Sequence, residues 1–218
     1  MAQVFHPSSN SIAKASLLCG VLGVAALIFG ATAVDRSPYV TRVATPVQQP
    51  IPFSHKHHVG ELGIDCRYCH VSVEHSAFAG IPEMETCMTC HSQIWRDSPM
   101  LAPLRDNYAA GRSVEWTRVH NLPDYAYFQH DIHIHKGIAC ETCHGRVDEM
   151  PLTWQTNTLH MDWCLECHRE PERFIRPRER VFEMGYQAHG DTLERGRKLV
   201  KDYHVADVRL TDCVTCHR

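Results

Sequence analysis

One short pattern, Cys-x-x-Cys-His, dominates this sequence and occurs five times. At the chain's own cysteine and histidine frequencies, about 0.04 copies are expected by chance. Ten of the 11 cysteines belong to the pattern, and the remaining one, Cys19, lies in an apolar stretch. We number the copies one to five in chain order: Cys66-Arg-Tyr-Cys69-His70, Cys87-Met-Thr-Cys90-His91, Cys140-Glu-Thr-Cys143-His144, Cys164-Leu-Glu-Cys167-His168 and Cys213-Val-Thr-Cys216-His217.

The pattern is the attachment signature of c-type haem. Its two thiols form thioethers with the haem vinyl groups, and the adjacent histidine reaches the iron as proximal ligand. Zinc also binds such pairs, but zinc sites do not require five contiguous copies in one invariant order. The sequence therefore predicts five covalently bound haem c groups, with iron ligands at His70, His91, His144, His168 and His217.

Five haems also determine the fold class that we predict. The chain contains 12 Pro and 12 Gly, so it favours short segments that bury little side-chain core of their own. Each porphyrin is a large apolar disc around which short helices and loops can pack. We expect a mainly α chain with extensive loops, a multihaem c-type cytochrome fold built round five covalent haems, together with one N-terminal transmembrane helix.

The N-terminal stretch from Ala15 to Val34 carries no charge and, at about 20 residues, can cross a hydrocarbon core as a helix. A cleaved signal peptide is the alternative, because Lys14 precedes the stretch and Ala31-Thr32-Ala33 resembles a cleavage site. We favour the anchor because of its length. Haem is attached outside the cytoplasm, so we expect a single-pass protein of the bacterial cytoplasmic membrane, with a cytoplasmic N-terminus and a periplasmic haem domain.

An internal repeat supplies candidates for the second axial ligand. The pattern FxHxxH precedes motifs one and three, as Phe53-Ser-His55-Lys-His57-His58 and Phe128-Gln-His130-Asp-Ile-His133. Two CxxCH motifs follow each copy, so the chain contains two di-haem modules. Residues three apart share a helix face, so one histidine of each pair can bind the local haem and the other a neighbouring haem. The predicted distal ligands are His55, His58, His130 and His133.

These four histidines leave one haem without a predicted distal ligand. Other histidines compete for this position, and a methionine thioether would raise the potential of that haem above its bis-histidine neighbours. A methionine near a motif is more often a packing residue. His57 and His135 point away from the ligand face. The candidates for the remaining position are His120, His160, His204, Met84, Met150 and Met161.

The motifs divide the chain into segments. Four prolines between residues 37 and 52 exclude a regular helix or central strand there, whereas the pattern over 191–202 predicts a helix leading to the last haem. We predict a cytoplasmic tail and transmembrane anchor (1–34), a Pro-rich linker (35–52), a first di-haem module (53–95), a linker wrapping the haems (96–127), a second di-haem module (128–175) and a C-terminal single-haem segment (176–218).

Other chemistries find no support in the sequence. The formal net charge of −3 gives no basic face for nucleic acid. The chain has no GxGxxG, phosphate loop, paired carboxylates or Ser-His-Asp arrangement, so neither hydrolysis nor group transfer is indicated. Electron transfer by the predicted haems is the function that the sequence supports.

Three stretches resemble the pentahaem cytochrome c subunit of alternative complex III: FSHKHHVGELGIDCRYCH (53–70), FQHDIHIHKGIACETCHGRVDEMPLTWQ (128–155) and HMDWCLECHREP (160–171). The resemblance implies a non-catalytic relay in a complex that oxidises menaquinol or ubiquinol. It implies multi-span quinol-binding membrane subunits, an iron-sulfur subunit and a mono-haem cytochrome subunit as partners. The implied acceptor is a soluble periplasmic cytochrome c or blue copper protein. One membrane helix is too little protein to build a buried quinol pocket, which agrees with a donor on another chain.

Three alternatives are weighed against this function. A stand-alone anchored quinol dehydrogenase would need a haem with an open or weakly held sixth position. A multihaem reductase of nitrite or a similar oxyanion commonly has lysine in place of one motif histidine, whereas all five motifs here end in histidine. The third alternative is an electron wire for another reductase.

Overall fold

The computed structural model describes residues 4–205 and 209–217, and these residues form helices and loops without any β-strand. Strand-like pairing is limited, within the same residues, to two isolated bridges, Val43 with Gln155 and Ile138 with Ile175. The predicted mainly α class is confirmed. The chain divides into two compact units, the first ending at Arg42 and the second beginning at Val43.

Most helices are short. A π-helix spans Lys56–Glu61, and 3₁₀ turns span Pro99–Leu101, Val147–Glu149, Pro171–Arg173 and Arg178–Arg180. The α-helices are α1 (Ser9–Asp35), α2 (Pro38–Thr41), α3 (Cys66–Cys69), α4 (Met84–His91), α5 (Ala102–Ala109), α6 (His130–His135), α7 (Cys140–His144), α8 (Met161–Arg169), α9 (Thr192–Asp202) and α10 (Cys213–Cys216).

The first unit contains α1 and α2. Helix α1 begins at Ser9, ahead of the predicted apolar stretch, and none of its side chains is buried. The helical segment Ser9–Thr41 contains an 18-residue window with a mean hydropathy of 2.4, so it is long and apolar enough to cross a membrane. Helix α2 corrects the expectation that residues 37–52 contain no helix. Pro38 starts this single turn, and the first turn tolerates proline because its N–H would be unpaired there anyway.

Each CxxCH motif contains one helical turn. Helices α3, α7 and α10 begin at the first cysteine of motifs one, three and five, after a residue in extended conformation. Motifs two and four instead form the last turns of α4 and α8. In either setting the two cysteines are three residues apart on a helix, so they share one face. The turn therefore presents both thiols to the same side, as attachment to one porphyrin requires.

Eight of the buried apolar side chains form two small clusters. The first contains Ile51, Met84, Leu101, Leu104 and Val114 and packs against Cys87 of motif two. The second contains Val73, Ile134 and Val181 and packs against Cys140 of motif three. Such small cores are insufficient for a chain of this length, which is in keeping with cofactors that would supply much of the apolar interior.

The predicted helix over 191–202 is present as α9. Its N-cap residue Asp191 accepts hydrogen bonds from the N–H groups of Leu193 and Glu194. The helix packs on the turn Pro171–Arg173, and a Cβ added at Gly196 would overlap the carbonyl oxygen of Glu172. Only glycine permits this close approach, which holds α9 against the segment that follows motif four.

A second close approach joins the two modules. The π-helix packs on the turn Val147–Glu149, which follows motif three. The N–H of Lys56 donates to the carbonyl of Met150 over 3.0 Å, and a Cβ at Gly60 would overlap the carbonyl oxygen of Asp148. The segment that carries the first histidine pair is therefore held against the second module.

We expect Gly60→Ala to destabilise the protein by about 2 kcal/mol because the added methyl group must displace backbone. In a chain of this size that loss lowers the midpoint of thermal unfolding by roughly 4 to 8 °C. Circular dichroism of the haem-loaded protein measures the midpoint. Lys56→Ala, an exposed change on the same helix, serves as control and should melt like the parent. A Gly60→Ala protein with an unchanged midpoint would contradict the close approach.

Candidate haem-binding sites

The two FxHxxH segments have the same side-chain geometry. Phe53 stacks on His58, with ring centroids 4.4 Å apart, and meets His55 edge-on at 4.9 Å. Phe128 stacks on His133 at 4.4 Å and meets His130 edge-on at 4.8 Å. The phenylalanine thus orients both imidazoles of its pair, although the first pair lies at the start of the π-helix and the second on α6. The orienting role of the phenylalanine was not part of our sequence interpretation, although its recurrence in register was the available signal.

Three of these imidazoles face a motif histidine across a gap of nearly constant width. A metal-imidazole bond is about 2 Å long, and the ring centre lies about 1 Å beyond the bonded nitrogen. Two imidazoles that bind one metal ion from opposite sides therefore have ring centres about 6 Å apart. The observed centroid distances match this value: 6.2 Å for His58 and His91, 6.3 Å for His130 and His144, and 6.2 Å for His133 and His168.

His55 occupies the equivalent position in the first module. Its Nδ1 lies 2.9 Å from the hydroxyl oxygen of Thr153, in the segment after motif three. Burial, reinforced by the neighbouring His70, lowers the pKa of His55 to about 4. The first histidine of each pair therefore lies near the first motif of its module, and the second histidine near the second motif.

Hydrogen bonds at Nδ1 fix the orientation of most of these rings. A backbone carbonyl only accepts, so Nδ1 must carry the proton, which leaves the Nε2 lone pair for a metal ion. In the motifs the acceptors are Gly80 for His70 (2.7 Å), Ile94 for His91 (3.0 Å), Leu210 for His168 (2.9 Å) and Tyr125 for His217 (3.0 Å). In the pairs they are Ser54 for His58 (2.8 Å), Ala77 for His130 (2.7 Å) and Gln129 for His133 (2.7 Å).

Motif three departs from this arrangement. The Nδ1 of His144 lies 3.3 Å from Nε2 of His120, with the ring centroids 4.3 Å apart. His120 therefore lies at the Nδ1 side of the His144 ring, where it can accept the Nδ1 proton. Our sequence interpretation considered His120 as a distal ligand only, because a lone histidine outside the repeat gives no signal of a supporting role.

Burial lowers the pKa of several of these imidazoles. It is the largest cause that lowers the pKa of His144, to about 3, and nearby histidines including His120 lower it further. Burial is also the main cause that lowers the pKa of His58, His120 and His133. A neutral imidazole can donate its nitrogen lone pair to a metal ion, whereas an imidazolium ion cannot.

The motif cysteines are available for haem attachment, because among the described residues none of the eleven cysteines is in a disulfide. Burial, with the neighbouring thiols, raises the pKa of Cys143 to about 12, and burial raises that of Cys167 to about 11. The side chains of Cys66 and Cys140 lie next to each other, so motifs one and three lie side by side.

The candidate methionines occupy different environments. Met84 belongs to the first core cluster, which is the packing role that is common for methionine. Met150 is fully buried, whereas Met161 is exposed.

The remaining histidines are placed as follows. His57 pairs with Glu61 over 2.9 Å and stacks on Trp95, and Nε2 of His135 lies 2.9 Å from the carbonyl oxygen of Glu74. His160 is the N-cap residue of α8. His204 follows α9 with a positive φ of 53°, and its carbonyl accepts a hydrogen bond from Lys136.

The residues fit haem better than a bare metal ion. Within residues 4–205 and 209–217, no three or more His, Cys, Asp or Glu side chains converge on a position that could hold a metal ion alone. Haem requires fewer ligands from the protein, because the porphyrin supplies the equatorial nitrogens and the chain adds only axial ligands. Paired imidazoles whose Nε2 lone pairs are available, each pair beside a CxxCH turn, meet that requirement.

The comparisons with known proteins agree with this chemistry. A family model described as the class III cytochrome c family matches residues 31–102. Together with the motifs, this match indicates multihaem cytochrome c chemistry, that is, electron transport by bound haem. The chain is similar to the "Menaquinone reductase, multiheme cytochrome c subunit" of Nitratidesulfovibrio vulgaris, with 36% identity over 140 residues. The matched region covers 64% of this chain and 61% of that relative.

Proposed function

We propose that this protein is a pentahaem electron relay, the cytochrome c subunit of a membrane quinol-oxidising complex of the alternative complex III kind. The observation that carries the proposal is the set of imidazole pairs at 6.2 to 6.3 Å beside the CxxCH turns. Helix α1, which is apolar and long enough to cross a bilayer, supports a membrane anchor, and we place the haem sites on the periplasmic side because haem is attached outside the cytoplasm.

Each CxxCH turn would hold one haem through its two cysteines and its histidine. The distal ligands would be His55 at site one, His58 at site two, His130 at site three and His133 at site four. When bound, haem supplies reversible one-electron chemistry at its iron. The chain's own contribution is to orient the imidazoles through Nδ1 and to exclude water by burial, which also lowers the pKa of His55, His58, His133 and His144.

Histidines on both sides of each haem would favour a relay over a catalyst. A substrate needs an open or weakly held coordination position, and the histidine pairs would leave none at sites two to four. The quinol would therefore be oxidised in multi-span partner subunits, since α1 alone is too little protein for a quinol pocket. An iron-sulfur subunit and a mono-haem cytochrome subunit complete the proposed complex, and a soluble cytochrome c or blue copper protein would accept the electrons.

A second candidate function has the opposite direction of electron flow. The similar protein from Nitratidesulfovibrio vulgaris is named as a subunit of a menaquinone reductase. In that function the same relay would carry electrons to menaquinone rather than away from menaquinol.

Purification from native membranes in mild detergent tests both functions. We expect mass spectrometry to identify co-purifying multi-span and iron-sulfur subunits, and we expect added quinol to reduce the haems only when those subunits are present. Oxidation of the reduced haems by menaquinone, without haem reduction by menaquinol, would favour the menaquinone reductase function. If the isolated chain were reduced by quinol, a relay role would be wrong and an open haem in this chain would be the active site.

The contact between His120 and His144 leads to a prediction for site three. A hydrogen-bond acceptor at Nδ1 makes the ligand more basic and stabilises ferric iron. We expect His120→Ala to raise the potential of one haem by about 60 mV, the equivalent of a tenfold change in a one-electron equilibrium. Spectroelectrochemical titration measures this shift. His120→Gln keeps an acceptor oxygen and should restore the potential, and His75→Ala, at an exposed histidine, should leave all potentials unchanged. Equal potentials in His120→Ala and the parent would contradict the assignment.

A further inference from the structure

We infer that the five haem-binding sites lie in one line in the order two, one, three, four, five, so that sites two and five are its ends and exchange electrons with partner proteins. This order rests on the proposed function and refines it. It differs from the order along the chain, in which site two would lie beside site three.

The histidine pairs define the neighbours within each module. His55 and His58 are three residues apart beside one π-helix and lie near motif one and motif two, respectively. His130 and His133 on α6 face motifs three and four in the same way. Because one short helix serves both sites of a module, sites one and two are adjacent, and so are sites three and four.

The junction between the modules joins site one to site three. The side chains of Cys66 and Cys140, the first cysteines of motifs one and three, lie next to each other. The ring of His55 lies 2.9 Å from Thr153 beyond motif three. His130 donates through Nδ1 to Ala77, which follows motif one. All three contacts connect the surroundings of motif one with those of motif three.

The second core cluster repeats this connection. Val73, three residues after His70, packs with Ile134 of α6 and against Cys140. The first cluster, which surrounds Cys87 of motif two, draws its other buried members from residues 51, 84, 101, 104 and 114. Motif two is therefore packed against the first module and its following linker, while motif one faces the second module.

Site five adjoins site four. The Nδ1 of His168 donates to the carbonyl of Leu210 over 2.9 Å, and Leu210 lies three residues before Cys213. The segment that leads into motif five is thus attached to the proximal histidine of motif four.

Exposure supports the two ends independently. Eight of the ten motif cysteines are partly buried, and the two that are exposed are Cys90 of motif two and Cys213 of motif five. Val214, next to Cys213, is 74% exposed. The attachment points at both ends of the line thus reach the surface, where a partner's redox centre can approach.

Each step along the line would move one electron. The reduced site becomes oxidised as its oxidised neighbour becomes reduced, and the electron is supplied from outside by quinol or, in the test below, by a photoreductant. The order decides which site an electron must cross. From site two, the route to site three passes through site one.

Flash photoreduction of the full-length protein in detergent tests the order. A ruthenium polypyridyl photoreductant is attached, with a sacrificial amine donor present, to Gln93→Cys near site two or to Arg209→Cys near site five, both exposed positions. The background carries Cys19→Ser, which removes the one cysteine outside the motifs. His130→Met marks site three by giving it a distinct optical spectrum and a raised potential.

Two matched deletions then separate the possible orders. We expect Cys66→Ser with Cys69→Ser, which removes haem one, to abolish reduction of site three from the label at position 93 but not from the label at position 209. Cys164→Ser with Cys167→Ser, which removes haem four, should abolish reduction of site three from the label at position 209 but not from the label at position 93. Reduction of site three from position 93 without haem one would overturn the order.

A second variant and a second readout apply if a deletion does not fold. His55→Met keeps haem one and raises its potential, so electrons from position 93 should be held at site one before they reach site three. No retention at site one would overturn the order.

The second readout uses the fully oxidised protein, in which no electron moves. Removal of haem five through Cys213→Ser with Cys216→Ser should change the paramagnetic resonance signal of site four alone. A change in the signal of site two would overturn the line. An intact mass with fewer than five haems would instead refute the proposed function.

Discussion

Loss of the haem at site three, through Cys140→Ser with Cys143→Ser, is expected to lower the stability of the protein against thermal unfolding as well as to remove one cofactor. Cys140 contacts both Cys66 and the second core cluster. Between the two cysteines, Glu141 accepts hydrogen bonds from Arg176 at 2.5 Å and from the N–H of Gly185 at 2.6 Å. A porphyrin missing from this position leaves a cavity where both modules meet, and such cavities destabilise strongly.

We expect the midpoint of thermal unfolding to fall by about 10 °C or more, the shift that a loss of roughly 4 kcal/mol produces in a chain of this size. Intact mass confirms the loss of one haem, and circular dichroism gives the midpoint. The matched control is Cys213→Ser with Cys216→Ser at the exposed end, which should lose one haem and change the midpoint far less. Equal midpoints for the two variants would contradict a central position for site three.

The second large effect is expected from His133→Ala. This imidazole faces His168 at 6.2 Å, so its removal should leave the iron of site four with one axial ligand. One haem should then change from low-spin to high-spin, and the ferrous protein should bind about one equivalent of carbon monoxide. Optical and paramagnetic resonance spectra measure both changes.

His135→Ala is the control on the same helix, because Nε2 of His135 lies against the carbonyl oxygen of Glu74. This variant should keep every haem low-spin and should bind no carbon monoxide beyond the parent. If His133→Ala also stayed uniformly low-spin, His133 would not be a ligand. The parent protein should itself show low-spin signals at sites two to four.

The motifs and the repeat allowed much of the candidate site to be predicted because their spacing is local. A CxxCH turn places thiols and imidazole within one helical turn, and FxHxxH recurs in register before motifs one and three. The helix over 191–202 was predictable for the same reason, with a capping aspartate at its start. The apolar stretch likewise predicted α1.

The arrangement between the modules could not be predicted from the sequence. The contact between Cys66 and Cys140 and the approach of Thr153 to His55 join residues far apart in the chain, and no periodicity encodes such contacts. The π-helical backbone of the first pair was also invisible, since its histidine spacing equals that of the pair on α6. His120 gave no signal because its role depends on a partner 24 residues away.

The most direct test of the account is the intact mass of the protein from its native membrane, which counts the covalent haems on each chain. A mass equal to the polypeptide plus five haems is the predicted result, because each CxxCH turn presents two cysteines on one face with a histidine beside them. A mass corresponding to four or fewer haems would contradict the pentahaem relay and, with it, the line of five sites.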